Sequence, residues 1–117
     1  FEGGGIRFVR LRRSLDELHE AVNVRHACFE EVRRHRGTDA AHVYGGLMAT
    51  LTAWCEERNI PYEGVPVGTI KKSWTGNGAA NKDAMIAEAR ARGYEVADDN
   101  VADALALLDW KLKEMRG

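Results

Sequence analysis

Asp98-Asp99-Asn100-Val101-Ala102-Asp103-Ala104-Leu105-Ala106-Leu107-Leu108 is the stretch on which the reading of this chain turns. Asp99 and Asp103 stand four residues apart and Asn100 and Asp103 three, so a helix puts each pair on one face. Acids in a first turn are favoured by the helix dipole, which accounts for Asp98 and Asp99. It accounts poorly for Asp103, which is set in a run of Val, Ala and Leu; a carboxylate in such surroundings needs a partner. A hard divalent cation, held by oxygen ligands and retaining waters, is one. Carboxylate-held Mg²⁺ pairs activate water and stabilise the leaving oxygen in phosphodiester hydrolysis, so the cluster points to cutting of a nucleic acid backbone.

A second stretch, Thr69-Ile70-Lys71-Lys72-Ser73-Trp74-Thr75-Gly76-Asn77-Gly78-Ala79-Ala80-Asn81-Lys82, suits the same substrate. Gly76 and Gly78 let backbone N–H groups approach an anion, and Lys71, Lys72 and Lys82 supply charge. Gly-Asn-Gly is also an ordinary turn, and the loop lacks the Gly-x-x-x-x-Gly-Lys-Ser/Thr of a nucleotide-binding P-loop. Trp74 beside it reads as core more readily than as a base-stacking platform. Upstream, Glu30 ends the apolar run His26-Ala27-Cys28-Phe29, as the solvent exit of a strand or as an acid aimed at a site. Arg33-Arg34-His35-Arg36-Gly37 follows as a basic loop, in which DNA contact by His35 is the less favoured of its readings.

Working outward, apolar spacings of three and four predict helices over 5–21 (Phe8, Leu11, Leu15, Leu18, Val22), 39–57 (Val43, Leu47, Leu51, Trp54), 67–74, 81–92 (Met85, Ile86, Ala89) and 99–115 (Val101, Leu105, Leu108, Leu112). Thr38 or Asp39 is expected to cap the second of these. Gly45-Gly46 within it costs helix propensity, which close packing would explain. Short strands are expected at 26–30 and 60–65, the latter edge-like because of Pro61, and 94–96 is expected to be extended. Helices alternating with strands indicate an α/β class.

The chain has 117 residues, 44% hydrophobic and 30% charged, with a net charge of −1, and is expected to form one domain, 1–117. A bulk basic nucleic-acid binder is excluded, but local patches at Arg7–Arg13, Arg25–Arg36 and Lys71–Lys82 can still bind phosphate. Cys28 and Cys55 have no zinc or disulfide spacing and read as small buried side chains of a reducing compartment. No apolar run reaches the ~18 residues of a membrane span and no signal-peptide pattern opens the sequence, so a cytoplasmic protein is expected. The sequence opens on Phe1-Glu2-Gly3-Gly4-Gly5 instead of Met, as an internal segment entering a helix would.

At Cys28–Gly37, Ile70–Gly78 with Asn81-Lys82, and Asp98–Leu105, in that order, the chain resembles the RuvC-like Holliday junction resolvases, particularly their compact phage and prophage branch. The resemblance covers about residues 5–110. It implies an RNase H-like (RuvC-type) fold, truncated at its N-terminus, and an endonuclease that uses Mg²⁺ (or Mn²⁺ in its place) to resolve branched DNA, usually as a homodimer. The family's strand-borne glutamate matches Glu30 and its final helical aspartate matches Asp103. Its acid three residues earlier falls on Asn100, so either Asn100 ligates through its amide oxygen or Asp99 takes the role. The family's loop lysines match Lys71 or Lys72, and Lys82, which would stabilise charge at the scissile phosphate. Arg33, Arg34, His35 and Arg36, with Lys71, Lys72, Gly76 and Gly78, would hold DNA. The family's first-strand aspartate has no match, since no Asp precedes Asp16, and weak or absent cutting by this chain alone is the expectation. A non-catalytic DNA-binding remnant, a structural α/β oligomerisation module and an RNase H acting on hybrids are the competing readings.

Overall fold

The computed structural model describes residues 3–33, 35 and 37–117. The element order is α1 (Ile6–Val22), β1 (Ala27–Glu31), α2 (Thr38–Glu57), β2 (Tyr62–Pro66), α3 (Val67–Thr75), α4 (Lys82–Ala91) and α5 (Asp99–Arg116), with β1 and β2 paired in a two-stranded sheet. Two compact units emerge: Phe1–Ala27 with Arg33–Glu63, and Cys28–Val32 with Gly64–Gly117.

In the first unit α1 packs on α2. Gly46 is where they meet closely: a Cβ there would stand 2.6 Å from Phe8 Cε1, whereas one on Gly45 would meet nothing within 4 Å. Close packing thus explains only the second glycine of the pair. Trp54, Cys55 and Ile60 are buried against Leu15, Leu51 and Tyr62. The Trp54 indole N–H donates to Asp16 Oδ1 at 2.8 Å, and the Arg58 guanidinium, 4.5 Å above the indole ring, reaches the same oxygen at 2.9 Å. One carboxylate therefore satisfies a buried donor that would otherwise cost about 1–3 kcal/mol. The chain leaves α1 through Asn23 (φ 55°), and His19 Nδ1 accepts from the Val24 N–H at 3.0 Å. Neither Thr38 nor Asp39 caps α2; the cap position falls on Gly37, without a side-chain bond.

In the second unit the core is Val65, Ile70, Trp74, Met85, Ala89, Val96, Ala102 and Ala106, with Ala80 closing it. Trp74 is a core residue, 3% exposed, its indole N–H donating to the Met85 carbonyl at 3.1 Å. Arg92 lies 3.8 Å over the Trp74 ring, donates to the Trp74 carbonyl at 3.0 Å and pairs with Glu88 at 2.9 Å and Asp109 at 3.3 Å. It ties the end of α4 to α3 and α5. Asn81 caps α4 by accepting from the Ala84 N–H at 2.8 Å, and Asp98 caps α5 by accepting from the Val101 N–H at 3.0 Å. Residues 94–96 form no strand; after Gly93 (φ 92°) the Tyr94 N–H turns back to the Ala89 carbonyl at 3.0 Å.

The buried face of α5 differs from the expected one. Val101, Leu108 and Leu112 are 42%, 55% and 41% exposed, while Ala102 and Ala106 are buried. Helices α3 and α4 both lie against α5, and alanines admit that close approach where leucines would hold the axes apart. The rotation matters for function, because it carries Asp103 inward with Ala102 and Ala106.

Candidate active site

Four elements build one cavity of about 210 Å³ in the second unit. Strand β1 contributes Glu30, α3 contributes Lys71 and Ile70, α4 contributes Met85, and α5 contributes Asn100, Asp103 and Leu107. The cavity is thus an apolar bowl with a polar patch of two carboxylates, one amide and one ammonium. Pairing of β1 with β2 fixes Glu30, and close docking of α5 through its alanines fixes Asp103 and, a turn earlier, Asn100.

The electrostatics follow from this crowding. Burial, then the charge of Asp103, pushes the Glu30 carboxyl above its usual pKa, while Lys71 pulls it partly back. Burial, then the charge of Asp99, does the same to Asp103, against Lys71 and Lys82. Two half-buried carboxylates raised mainly by burial would be stabilised as anions by added positive charge. A divalent cation would supply it, and the two carboxylates and the Asn100 side-chain amide that line the cavity offer oxygen, the hard donor that Mg²⁺ or Mn²⁺ takes. The residues therefore fit a metal of that kind.

Of the residues singled out in the sequence, Glu30, Asn100, Asp103 and Lys71 come together here. Asp99 does not line the cavity; it lies 3.9 Å from Lys82 Nζ, a long pair with the lysine side chain 82% exposed. Asn100 rather than Asp99 thus faces the site, although Asp99 still acts on Asp103 through its charge. Lys72 points to a separate groove between α3 and α5. Gly76 (φ 87°) ends α3 in the left-handed region, its N–H donating to the Lys72 carbonyl at 2.8 Å. Gly78 passes close to α3: a Cβ there would stand 3.4 Å from the Gly68 carbonyl oxygen. Both glycines have structural reasons that the sequence motif does not separate from anion binding. Arg33 is exposed and the His35 ring packs 5.0 Å from Tyr44, both in the first unit. Arg34 and Arg36 lie outside the described residues. Of the apolar walls, Met85 was expected as a core position, whereas Ile70 and Leu107 were not singled out as such.

The fold is RNase H-like, of the RuvC type. The chain is similar to the Thermus thermophilus RuvC structure (TM-score 0.74, 20% identity) and to T. thermophilus RuvC in complex with Holliday junction substrate (TM-score 0.77, 22% identity), each match covering 91% of this chain and 66% of that one. In sequence it is 30% identical over 94 residues to the crossover junction endodeoxyribonuclease RuvC of Brachyspira hyodysenteriae (strain ATCC 49526 / WA1), covering 80% of this chain and 59% of that protein. No protein-family model matches. The chain is RuvC-like in sequence and in fold, and it spans less than two thirds of the length of these relatives.

Proposed function

We propose that this chain carries the catalytic face of a divalent-metal-dependent endonuclease that resolves branched DNA. The observation that carries the reading is the convergence of Glu30, Asn100, Asp103 and Lys71 on one cavity in a RuvC-type fold. Glu30, Asp103 and the Asn100 amide oxygen would hold Mg²⁺, or Mn²⁺ in its place; when bound, the cation supplies Lewis-acid stabilisation of charge on the phosphate. Lys71 balances the carboxylates before substrate arrives and faces the phosphate afterwards. Lys82, exposed at the first turn of α4, is free to swing to the scissile region and offset developing negative charge. The apolar walls limit water around the reacting group, which strengthens each of these interactions. A homodimer, in which two such sites address opposed strands of a junction, is part of this proposal.

One observation favours a second reading. An amide stands at position 100, which leaves the cavity with only two carboxylates. A DNA-binding remnant that grips junctions without cutting them would look the same. The test is cleavage of a labelled four-way DNA junction with Mg²⁺ or Mn²⁺, with linear duplex as control. Metal-dependent nicking of the junction alone supports the nuclease. Salt-sensitive junction binding without nicking supports the remnant, and neither activity removes both readings.

A further inference from the structure

The face of α5 that lines the cavity continues past it. Asn100, Asp103 and Leu107 continue at helical spacing into Trp110 and Glu114, and the last two line a groove of about 370 Å³ with Thr69, Lys72 and Ser73 of α3 and Lys113 of α5. Lys71 and Lys72, adjacent in sequence, face the cavity and the groove respectively. Trp110 is half-buried, with part of its ring against the core and the rest lining the groove. It lies two turns from Asp103, roughly 10 Å along the axis, a separation of one to two nucleotides in an extended strand.

We propose that the α3–α5 groove holds a stretch of DNA strand next to the phosphate being cut, with a base stacked on the Trp110 indole and its phosphate held by Lys72 and Lys113. The assignment rests on the nuclease reading above and adds a binding subsite to it. An indole edged by ammonium and hydroxyl groups is the composition that holds unpaired nucleotides without reading their sequence. Lys113 already pairs with Asp109 at 3.0 Å, so Lys72 carries most of the phosphate contact. Glu114 opposes an anion and sets an upper limit on affinity. Stacking is interrupted at a junction's branch point, so a base there is displaced at lower cost than one inside a linear duplex, and the groove would favour branched substrate.

The fluorescence of the protein makes the test direct, because Trp54 and Trp74 are 1% and 3% exposed and Trp110 is the tryptophan open to quenching. The 117-residue chain is titrated with a labelled four-way junction in Ca²⁺, reading anisotropy and tryptophan emission. The expected result is quenching on binding, an affinity loss of about tenfold in Trp110→Ala, and affinity within about threefold of wild type in Trp110→Phe. Unchanged affinity in Trp110→Ala, with the junction still bound, overturns the groove and leaves the nuclease reading intact. Failure of the wild-type chain to bind the junction overturns both. Should Trp110→Ala lose helicity by circular dichroism, the Lys72→Ala/Lys113→Ala pair decides: a salt dependence shallower by about one unit of slope supports the groove and an unchanged slope overturns it.

Discussion

The negative charge of Asp103 on α5 raises the proton affinity of Glu30 on β1. Residues far apart in the chain are thus brought to one cavity, where burial disfavours both as anions, with the charge of Asp103 adding to it at Glu30 and the charge of Asp99 at Asp103.

Glu30→Gln should stabilise the protein at neutral pH while abolishing metal-dependent cutting. The ordinary carboxylate values are 4.5 for Glu30 and 3.8 for Asp103, and both are raised in the folded state. The folded protein therefore binds more protons than the unfolded chain just above those values, and stability falls as pH rises through that window. Thermal melts from pH 4 to 8 should show a flatter profile for Glu30→Gln. A lower melting temperature than wild type at pH 7 without metal would falsify the strained-pair account.

The two lysines should be separable by titration. Lys71 lowers the pKa of both Glu30 and Asp103, whereas Lys82 acts on Asp103. In carboxyl-carbon NMR, Lys71→Ala should raise both pKa values and Lys82→Ala that of Asp103 alone. Equal movement of Glu30 in the two variants would contradict the cavity geometry. In cleavage, Lys82→Ala should lower rate more than affinity.

Asn100→Asp should tighten divalent binding on the order of tenfold by restoring a charged oxygen ligand, measured by calorimetry with Mn²⁺. The same substitution should lower stability without metal, since it adds a third carboxylate beside Glu30 and Asp103. Asp99→Asn should change metal affinity little, because Asp99 lies outside the cavity; a loss equal to that of Asp103→Asn would make it a ligand after all.

The glycine pair of α2 should divide. Gly45→Ala meets open space and should gain up to about 1 kcal/mol from helix propensity. Gly46→Ala drives a methyl into the Phe8 ring, and overpacking of about 1–3 kcal/mol outweighs that gain. Urea denaturation of both variants checks this; stabilisation by Gly46→Ala would show that Phe8 relaxes freely.

Much of this was legible along the chain, because helix periodicity, caps and strand runs are local signals. The helices lie within a few residues of the expected positions, and Asp103 was marked as chemically unusual by the apolar residues around it. The buried side of α5 was misread for a reason of packing. Val101, Leu105, Leu108 and Leu112 form the more hydrophobic stripe, yet Ala102 and Ala106 are what α3 and α4 press against. Side-chain size at a helix contact decides how closely axes approach, and hydrophobicity alone does not report it.

The sequence by itself determined that an acid-bearing helix, a lysine-flanked turn and a strand-borne glutamate occur in a fixed order. It could not say which of Asp99 and Asn100 turns toward Glu30, or which of Lys71 and Lys72 does, since neighbours in a helix differ only by a rotation of its axis. Tertiary packing set those rotations. Ala102 and Ala106 of α5 and Ile70 of α3, all buried, lock the two helices so that Asn100, Asp103 and Lys71 share a cavity with Glu30, leaving Asp99 outside it and Lys72 on the adjoining groove.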